Sequence, residues 1–476
     1  MSRRYDLVVI GGGTGGLVSA VIAAGTGARV ALIERERTGG DCLWTGCVPS
    51  KSLIAAADAA HRMRTADMLG LPACEPEIDF ARVMERVHAA RRKIEPQDSP
   101  ERLRRDGIEV ISADAAFAAP GVIRAGNREL MYRNAIVATG SEPALPPLPG
   151  LTEADPLTSE NLWDLTELPR RLVVLGGGPI GCELGQAFTR LGSLVTLVES
   201  ESRLLLKEEP KASELVAEHL RADGLEVRTG TTTLGVRDGR ELALEGGEAV
   251  PFDRVFVATG RRPRSSGLGL EEVGVSTTSG GAIAVDDRLR TTGRNIYAVG
   301  DVTGAPPFTH VAAYHARVAT VNALFRARGK VDSGAVPSVT FTDPEVARVG
   351  LTEQRARESF GDRTRVAEFE YAELDRAIVA GRPYGFAKLV GDRKGRLVGA
   401  TVAAPHGGDA IAELAAWVAT RGRIGDVSRA VHAYPTFAEG PARAADGYLM
   451  RRVVSGRVRI PAQLALAALR LLDRRA

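Results

Sequence analysis

Residues 39–51 read GGDCLWTGCVPSK and hold Cys42 and Cys47, two of only four cysteines in the chain, with Pro49 and Lys51 just behind. Two thiols so close suit three chemistries: a metal site, a structural crosslink, or a redox pair that cycles between dithiol and disulfide. The spacing alone leaves all three open. The segment that begins after Cys47, VPSKSLIAAADAAHRMR, reads as a helix with Pro49 in its first turn. Cys47 then sits at a helix N-terminus, where a thiolate is favoured. A four-ligand zinc site from Cys42, Cys47, Cys74 and Cys182 would use every cysteine from scattered segments, so no metal site is expected. Cys182, in a helix, and Cys74, in the loop LPACEPE, read as passive.

The elements that must position these thiols come from a long chain. At 476 residues, two to four domains are expected. A net charge of +3 is too small to imply a nucleic-acid partner, and 5% aromatic content leaves little surface for stacking bases. Four cysteines are not a secreted disulfide framework. The apolar run after the N-terminal arginines is too short for a signal peptide, and no stretch approaches the roughly 20 apolar residues of a membrane span. The expected location is the cytoplasm, where a lasting crosslink is disfavoured.

One nucleotide-binding unit occurs twice. DLVVIGGGTGGLVSA (6–20) and LVVLGGGPIGCELGQ (172–186) each run from an apolar strand through G-x-G-x-x-G into a helix. The first set is Gly11, Gly13 and Gly16; the second is Gly176, Gly178 and Gly181, with Ile180 before the last. One glycine makes the turn, one admits a pyrophosphate to the backbone, and one lets helix and strand pack closely. The helix N-terminus then meets the phosphates with unpaired N–H groups and partial positive charge. A lone motif of this kind is weak. Here each is followed by a second strand ending in an acid, Glu34 and Glu199, at the same interval of 23 residues from the first glycine. Such an acid hydrogen-bonds an adenosine ribose. Each unit closes in ATG, with Thr139 and Gly140 in the first copy and Gly260 in the second. The first copy is longer by about 45 residues and contains both thiols. Two dinucleotides are therefore expected, one close to the cysteines, and a low-pKa thiolate there suggests exchange of electrons with a flavin.

On these residues the chain resembles the FAD-dependent pyridine nucleotide–disulfide oxidoreductases, a family that includes dihydrolipoamide dehydrogenase, glutathione reductase and mercuric reductase. The resemblance covers roughly residues 4–455, and GGDCLWTGCVPSK is similar to the family's redox motif. It implies that Cys47 lies against the flavin ring and that Cys42 is the interchange thiol facing substrate. It also implies that Lys51 lies near the flavin and pairs with Glu183. IYAVGD (296–301) is similar to the second FAD motif, with Asp301 on the ribityl chain. The helix THVAAYHARVA would start near His310 and Val311 and point at the flavin carbonyl, where its dipole favours negative charge. Ala115, in SADAAF, would touch adenine. Trp44 and Thr45 depart from the usual motif.

The implied fold class is α/β, with two Rossmann-type domains and an α+β C-terminal dimerisation domain. The FAD domain would take residues 1–150 and 265–335, the NAD(P) domain 151–264, the interface domain 336–455, and a basic helical extension 456–476. The prolines of SEPALPPLPGLTEADP mark the boundary near 150. The implied assembly is a homodimer in which substrate meets Cys42 near Tyr434 of the partner subunit. Glu199 favours NADH over NADPH, since it would accept a ribose hydroxyl and repel a 2′-phosphate.

The pattern breaks at residues 432–439, HAYPTFAE. Relatives that reduce disulfides present His-Pro-Thr-x-x-Glu as acid–base. Here Pro435, Thr436 and Glu439 fit, but the acid–base position holds Tyr434. Reference pKa values of about 6.5 for His and about 10 for Tyr differ by roughly 5 kcal/mol of proton-transfer mismatch. His432 would share a strand face with residue 434 and could replace it. Mercuric reductases are a better partial match, since they carry Tyr at this position, yet no cysteine follows Cys182 to serve as their C-terminal metal-handing pair. The expected activity is therefore NAD(P)H-dependent reduction, mercuric-reductase-like, of an unassigned small-molecule acceptor: a quinone, a metal ion or a small disulfide. The alternatives are a dihydrolipoamide dehydrogenase-type disulfide reductase and a low-turnover redox-sensing flavoprotein.

The last 26 residues carry seven arginines against Asp473 alone, a net +6, so the first 450 residues sum to −3. AQLALAALRLLDRR reads as a helix with Leu464, Ala468, Leu471 and Leu472 on one face. The plainer expectation is packing on the dimer; contact with a membrane surface is the other reading.

Overall fold

Short apolar strands followed by glycines fold here as parallel strands buried on both faces, which is why they lack polar alternation. The computed structural model describes residues 4–454 and 459–473. They form two compact units: the first from residues through 64, 74–200 and 224–331, the second from 65–73, 201–223 and 332 onward.

In the first unit, β1 (Tyr5–Ile10) runs into α1 (Thr14–Gly25) and β2 (Val30–Glu34). The insertion follows as α2 (Gly40–Trp44), α3 (Cys47–Arg64), α4 (Phe80–Ile94) and α5 (Pro100–Arg105). Next come β3 (Ile108–Ser112) and the antiparallel meander β4 (Ala115–Ala119), β5 (Val122–Ala125) and β6 (Arg128–Val137). The sheet order is β3-β2-β1-β6-β5-β4. Leu7, Val8, Val9 and Ile10 are all buried, and both faces of this sheet are packed.

The second copy follows the short β7 (Ser141–Pro143): β8 (Arg171–Leu175), α6 (Pro179–Arg190) and β9 (Leu194–Val198), with α7 (Pro210–Ala222) in the second unit. β10 (Glu226–Arg228) and β14 (Arg254–Val257) complete a parallel sheet, β10-β9-β8-β14. Between them β11 (Thr233–Arg237), β12 (Glu241–Leu244) and β13 (Ala249–Pro251) form a small antiparallel sheet. β15 (Arg261–Pro263) pairs with β7. The chain then returns to the first sheet as β16 (Ile296–Ala298), parallel to β6, and leaves it through α8 (Thr309–Phe325).

The second unit is built on an antiparallel sheet, β17-β18-β21-β20-β19 (Pro337–Thr340, Glu345–Gly350, Leu397–Ala404, Phe386–Gly391 and Arg365–Glu370). α9 (Glu353–Phe360) and α10 (Asp375–Val379) lie between its strands in sequence. α11 (Gly407–Ala419), α12 (Ile424–Arg429) and α13 (Glu439–Val454) follow. Leu389, Val402, Leu414, Val427 and Ala444 share its core. α14 (Arg459–Asp473) ends the described chain with no buried residue. Arg457, Arg474 and Arg475 of the basic tail lie outside the described residues.

Candidate active site

The two glycine loops have the same geometry. Gly11 and Gly176 take φ of +102° and +106°. A methyl group on Gly16 would lie 1.8 Å from the Gly11 carbonyl oxygen, and one on Gly181 would lie 2.0 Å from that of Gly176. Only glycine allows this approach of helix to strand. Gly13 and Gly178 are the N-caps of α1 and α6, where no side chain caps the helix and no acid stands in the first turn. Both helix ends thus keep donors and positive potential for a phosphate. At the ends of β2 and β9, Glu34 accepts from the Gly12 N–H and Glu199 from the Gly177 N–H, each at 2.6 Å. The donor set fits a dinucleotide in both copies. Thr139 donates to the Arg264 carbonyl at 2.6 Å, Gly140 and Gly260 have positive φ, and Ala115 opens β4. Ile180 is half-buried in the first turn of α6.

The thiols stand in the insertion of the first copy, just after β2. Cys42 lies in the one-turn helix α2; Cys47 is the first residue of α3, with Pro49 buried behind it. A hydrogen bond from Cys42 is the largest cause that lowers the Cys47 thiol, to about 6. The Thr309 hydroxyl, 3.3 Å away at the first position of α8, and the positive charge of Lys51 act in the same direction. The Cys42 thiol is pushed up, chiefly as partner in that bond. The reduced pair therefore holds one proton, on Cys42, and its negative charge on Cys47 between two helix N-termini. Lys51 donates to Glu183 Oε2 at 2.8 Å; the Glu183 side chain is only 7% exposed, so the ammonium offsets a carboxylate that burial would otherwise penalise.

Several of these partners escaped sequence reasoning. Thr309 precedes the residues singled out there: Val311 is buried and the His310 ring stacks on Phe308 at 5.2 Å. A polar chain also runs from the thiol loop to the second FAD motif. Asp41, next to Cys42, is ion-paired with Arg261. Arg261 donates to Ser141 Oγ at 2.7 Å, and Ser141 donates to Asp301 Oδ2 at 2.7 Å. Burial pushes the Asp301 carboxyl up, and the Ser141 hydroxyl counters it. The run RRPR after Gly260 is the only sequence signal for this chain, and it does not say which acid each arginine meets.

In the second unit the expected acid–base pair is arranged otherwise. Residues 430–438 form no strand or helix, so His432 and Tyr434 do not share a strand face. Pro435 has no N–H with which to continue a ladder. His432 Nε2 lies 2.8 Å from Glu413 Oε2, and its Nδ1 lies 3.0 Å from the Ala430 carbonyl. Tyr434 is 66% exposed and donates to Asp375 Oδ2 at 2.9 Å, a bond that pushes its phenol up. Glu439 accepts from the Thr436 N–H at 3.0 Å at the start of α13. Arg203 spends its guanidinium on Ser213 Oγ at 2.5 Å and the Leu206 carbonyl at 2.7 Å.

No helix among the described residues is long and apolar enough to cross a membrane. Residues 5–316 match the pyridine nucleotide-disulphide oxidoreductases, and residues 336–445 match the dimerisation domain of that family. The mercuric reductase of Streptomyces lividans is 37% identical over 459 residues, spanning 93% of this chain and 96% of that protein. The dihydrolipoyl dehydrogenase of Thermus scotoductus is 36% identical over 460 residues, spanning 93% and 97%. Among solved structures, the Cu(II) complex of the HOCl-induced flavoprotein disulfide reductase RclA from Escherichia coli aligns with a TM-score of 0.83 at 29% identity, covering 93% of this chain and 99% of that one. LpdA from Mycobacterium tuberculosis aligns with a TM-score of 0.85 at 28% identity, with the same coverage. The chain belongs to the pyridine nucleotide-disulphide oxidoreductases, an FAD-dependent enzyme family whose members use NAD(P)H.

Proposed function

We propose that this enzyme uses NADH to reduce an acceptor other than a disulfide, a quinone or a metal ion, with Cys42 and Cys47 as its redox pair. The observation that carries this reading is the Tyr434 hydroxyl, which donates to Asp375 instead of standing ready as a base. Reduction of a disulfide requires Cys42 to give up its proton and attack, and a leaving thiolate to be protonated. The Cys42 thiol is raised, the Tyr434 phenol is raised, and His432 is engaged by Glu413. That combination opposes both proton movements. A quinone or a metal ion takes electrons without a departing thiol.

Gly11, Gly13, Gly16, Glu34, Lys51, Ala115, Thr139, Gly140, Asp301, His310 and Val311 would hold FAD. Gly176, Gly178, Ile180, Gly181, Glu199 and Gly260 would hold the nicotinamide dinucleotide. These assignments divide the chain by cofactor into residues 1–150 with 265–335 and residues 151–264. Residues 336–455 would form the homodimer and bring Tyr434 of the partner subunit toward Cys42. FAD, when bound, supplies the two-electron link between nicotinamide and the sulfur pair. Thr309 and Lys51 hold the Cys47 thiolate, and Glu183 holds Lys51. Cys42 keeps the second proton until an acceptor arrives. On reoxidation the two sulfurs lose two electrons and one remaining proton and form the disulfide. The carboxylate of Glu199 disfavours a 2′-phosphate.

The test is an acceptor series at fixed NADH: benzoquinone, Hg(II), Cu(II), lipoamide and glutathione disulfide. Turnover of the quinone or a metal ion at least a hundredfold above either disulfide is expected. Lipoamide turnover at ordinary enzyme rates, roughly 1–1000 per second, would refute the reading and favour the dehydrogenase alternative. Failure of NADH and NADPH to reduce the bound flavin would leave a redox-sensing flavoprotein.

A further inference from the structure

α14 has the form of a helix made for an interface. None of its residues is buried, and Ile460, Leu464, Leu466, Leu469, Leu471 and Leu472 are each more than half exposed. At 3.6 residues per turn, Arg459, Gln463, Arg470 and Asp473 fall within roughly 80° of the helix circumference. The remaining positions are leucine, isoleucine, alanine or Pro461. A lone exposed leucine is ordinary, but five with an isoleucine on one helix are not. The match to the dimerisation domain ends at residue 445, before α14 begins.

We infer that α14 lies on an anionic lipid surface, its leucines at the acyl boundary and its arginines among the headgroups. Charge selects this occupant over a second copy. Residues 451–476 carry +6, and a two-fold contact would set two such segments against each other. The first 450 residues sum to only −3, half the size of the tail's charge. An anionic bilayer accepts both the apolar arc and the arginines. Fifteen residues make a helix of about 22 Å, short of the roughly 30 Å hydrocarbon core, so it lies on the bilayer and does not span it. The inference holds whichever acceptor the enzyme uses.

Vesicle co-sedimentation of the full-length holoenzyme tests it. Vesicles of about one-third phosphatidylglycerol in phosphatidylcholine should bind at least tenfold more tightly than phosphatidylcholine alone. High salt should remove most of that preference. The full-length variant Leu464→Glu with Leu471→Glu should lose binding at least tenfold while keeping its FAD content and soluble NADH–benzoquinone turnover. Three results would overturn the inference: no binding to either vesicle, equal binding to both, or unchanged binding by the variant. So would concentration-dependent assembly beyond a dimer that the variant abolishes without lipid, since the occupant would then be a second copy.

Discussion

Replacing Thr309 by valine tests how the structure keeps Cys47 ionised. The hydroxyl lies 3.3 Å from Cys47 Sγ and works with Cys42 and Lys51 to lower the thiol to about 6. Hydrogen bonds to charged groups contribute about 1.5–3 kcal/mol. Sulfur is a weak acceptor and Cys47 is exposed, so the low end of that range, halved again by solvent, is the fair figure here. At ~1.36 kcal/mol per unit, this is a shift of about 0.5 unit. The thiolate would fall from about 90% of molecules at pH 7 to roughly three-quarters. The assay is the pH dependence of alkylation of the reduced holoenzyme, read at Cys42 and Cys47 separately by peptide mass spectrometry. Thr309→Val should move the Cys47 midpoint upward by that amount, and Thr309→Ser should leave it in place. An unmoved midpoint in the valine variant, or equal shifts in both, would show that the hydroxyl does not hold the thiolate.

Tyr434→His should raise lipoamide or glutathione disulfide turnover at least tenfold, since a positioned base supplies about 10²–10⁴, whereas Tyr434→Phe should change it little; steady-state rates decide. Lys51→Met removes the ammonium from the buried Glu183 carboxylate and should cost about 1–2 kcal/mol, the buried-pair penalty discounted for the partial exposure of Lys51. Glu183→Gln should cost less, as measured by denaturant unfolding. The two glycine loops should fail separately: Gly16→Ala should yield protein without FAD, while Gly181→Ala should keep FAD and lose NADH binding by at least tenfold, as absorbance and titration would report. Asp41→Asn breaks the ion pair with Arg261 and should loosen the thiol loop, seen as faster amide exchange at residues 40–46 with FAD still bound.

The doubled strand–glycine–helix unit was legible along the chain because each part of it is local. A glycine at a positive φ, a helix that must start beside it and an acid 23 residues on are all set by backbone geometry within one βαβ turn. The helix after Cys47 was legible for the same reason: Pro49 fixes where it begins. Pairings across long intervals were not. Thr309 reaches Cys47 over 262 residues, Arg261 reaches Asp41 over 220, and Tyr434 reaches Asp375 over 59. No periodicity encodes such distances; they depend on which sheet edges and helix ends packing brings together. Residues 430–438 show the difference most plainly. Their composition named a tyrosine where a histidine was expected, a fact of sequence alone. That this tyrosine donates to Asp375, and that the neighbouring His432 turns to Glu413, was decided by the placement of α10 and α11 around a segment with no ladder to hold it.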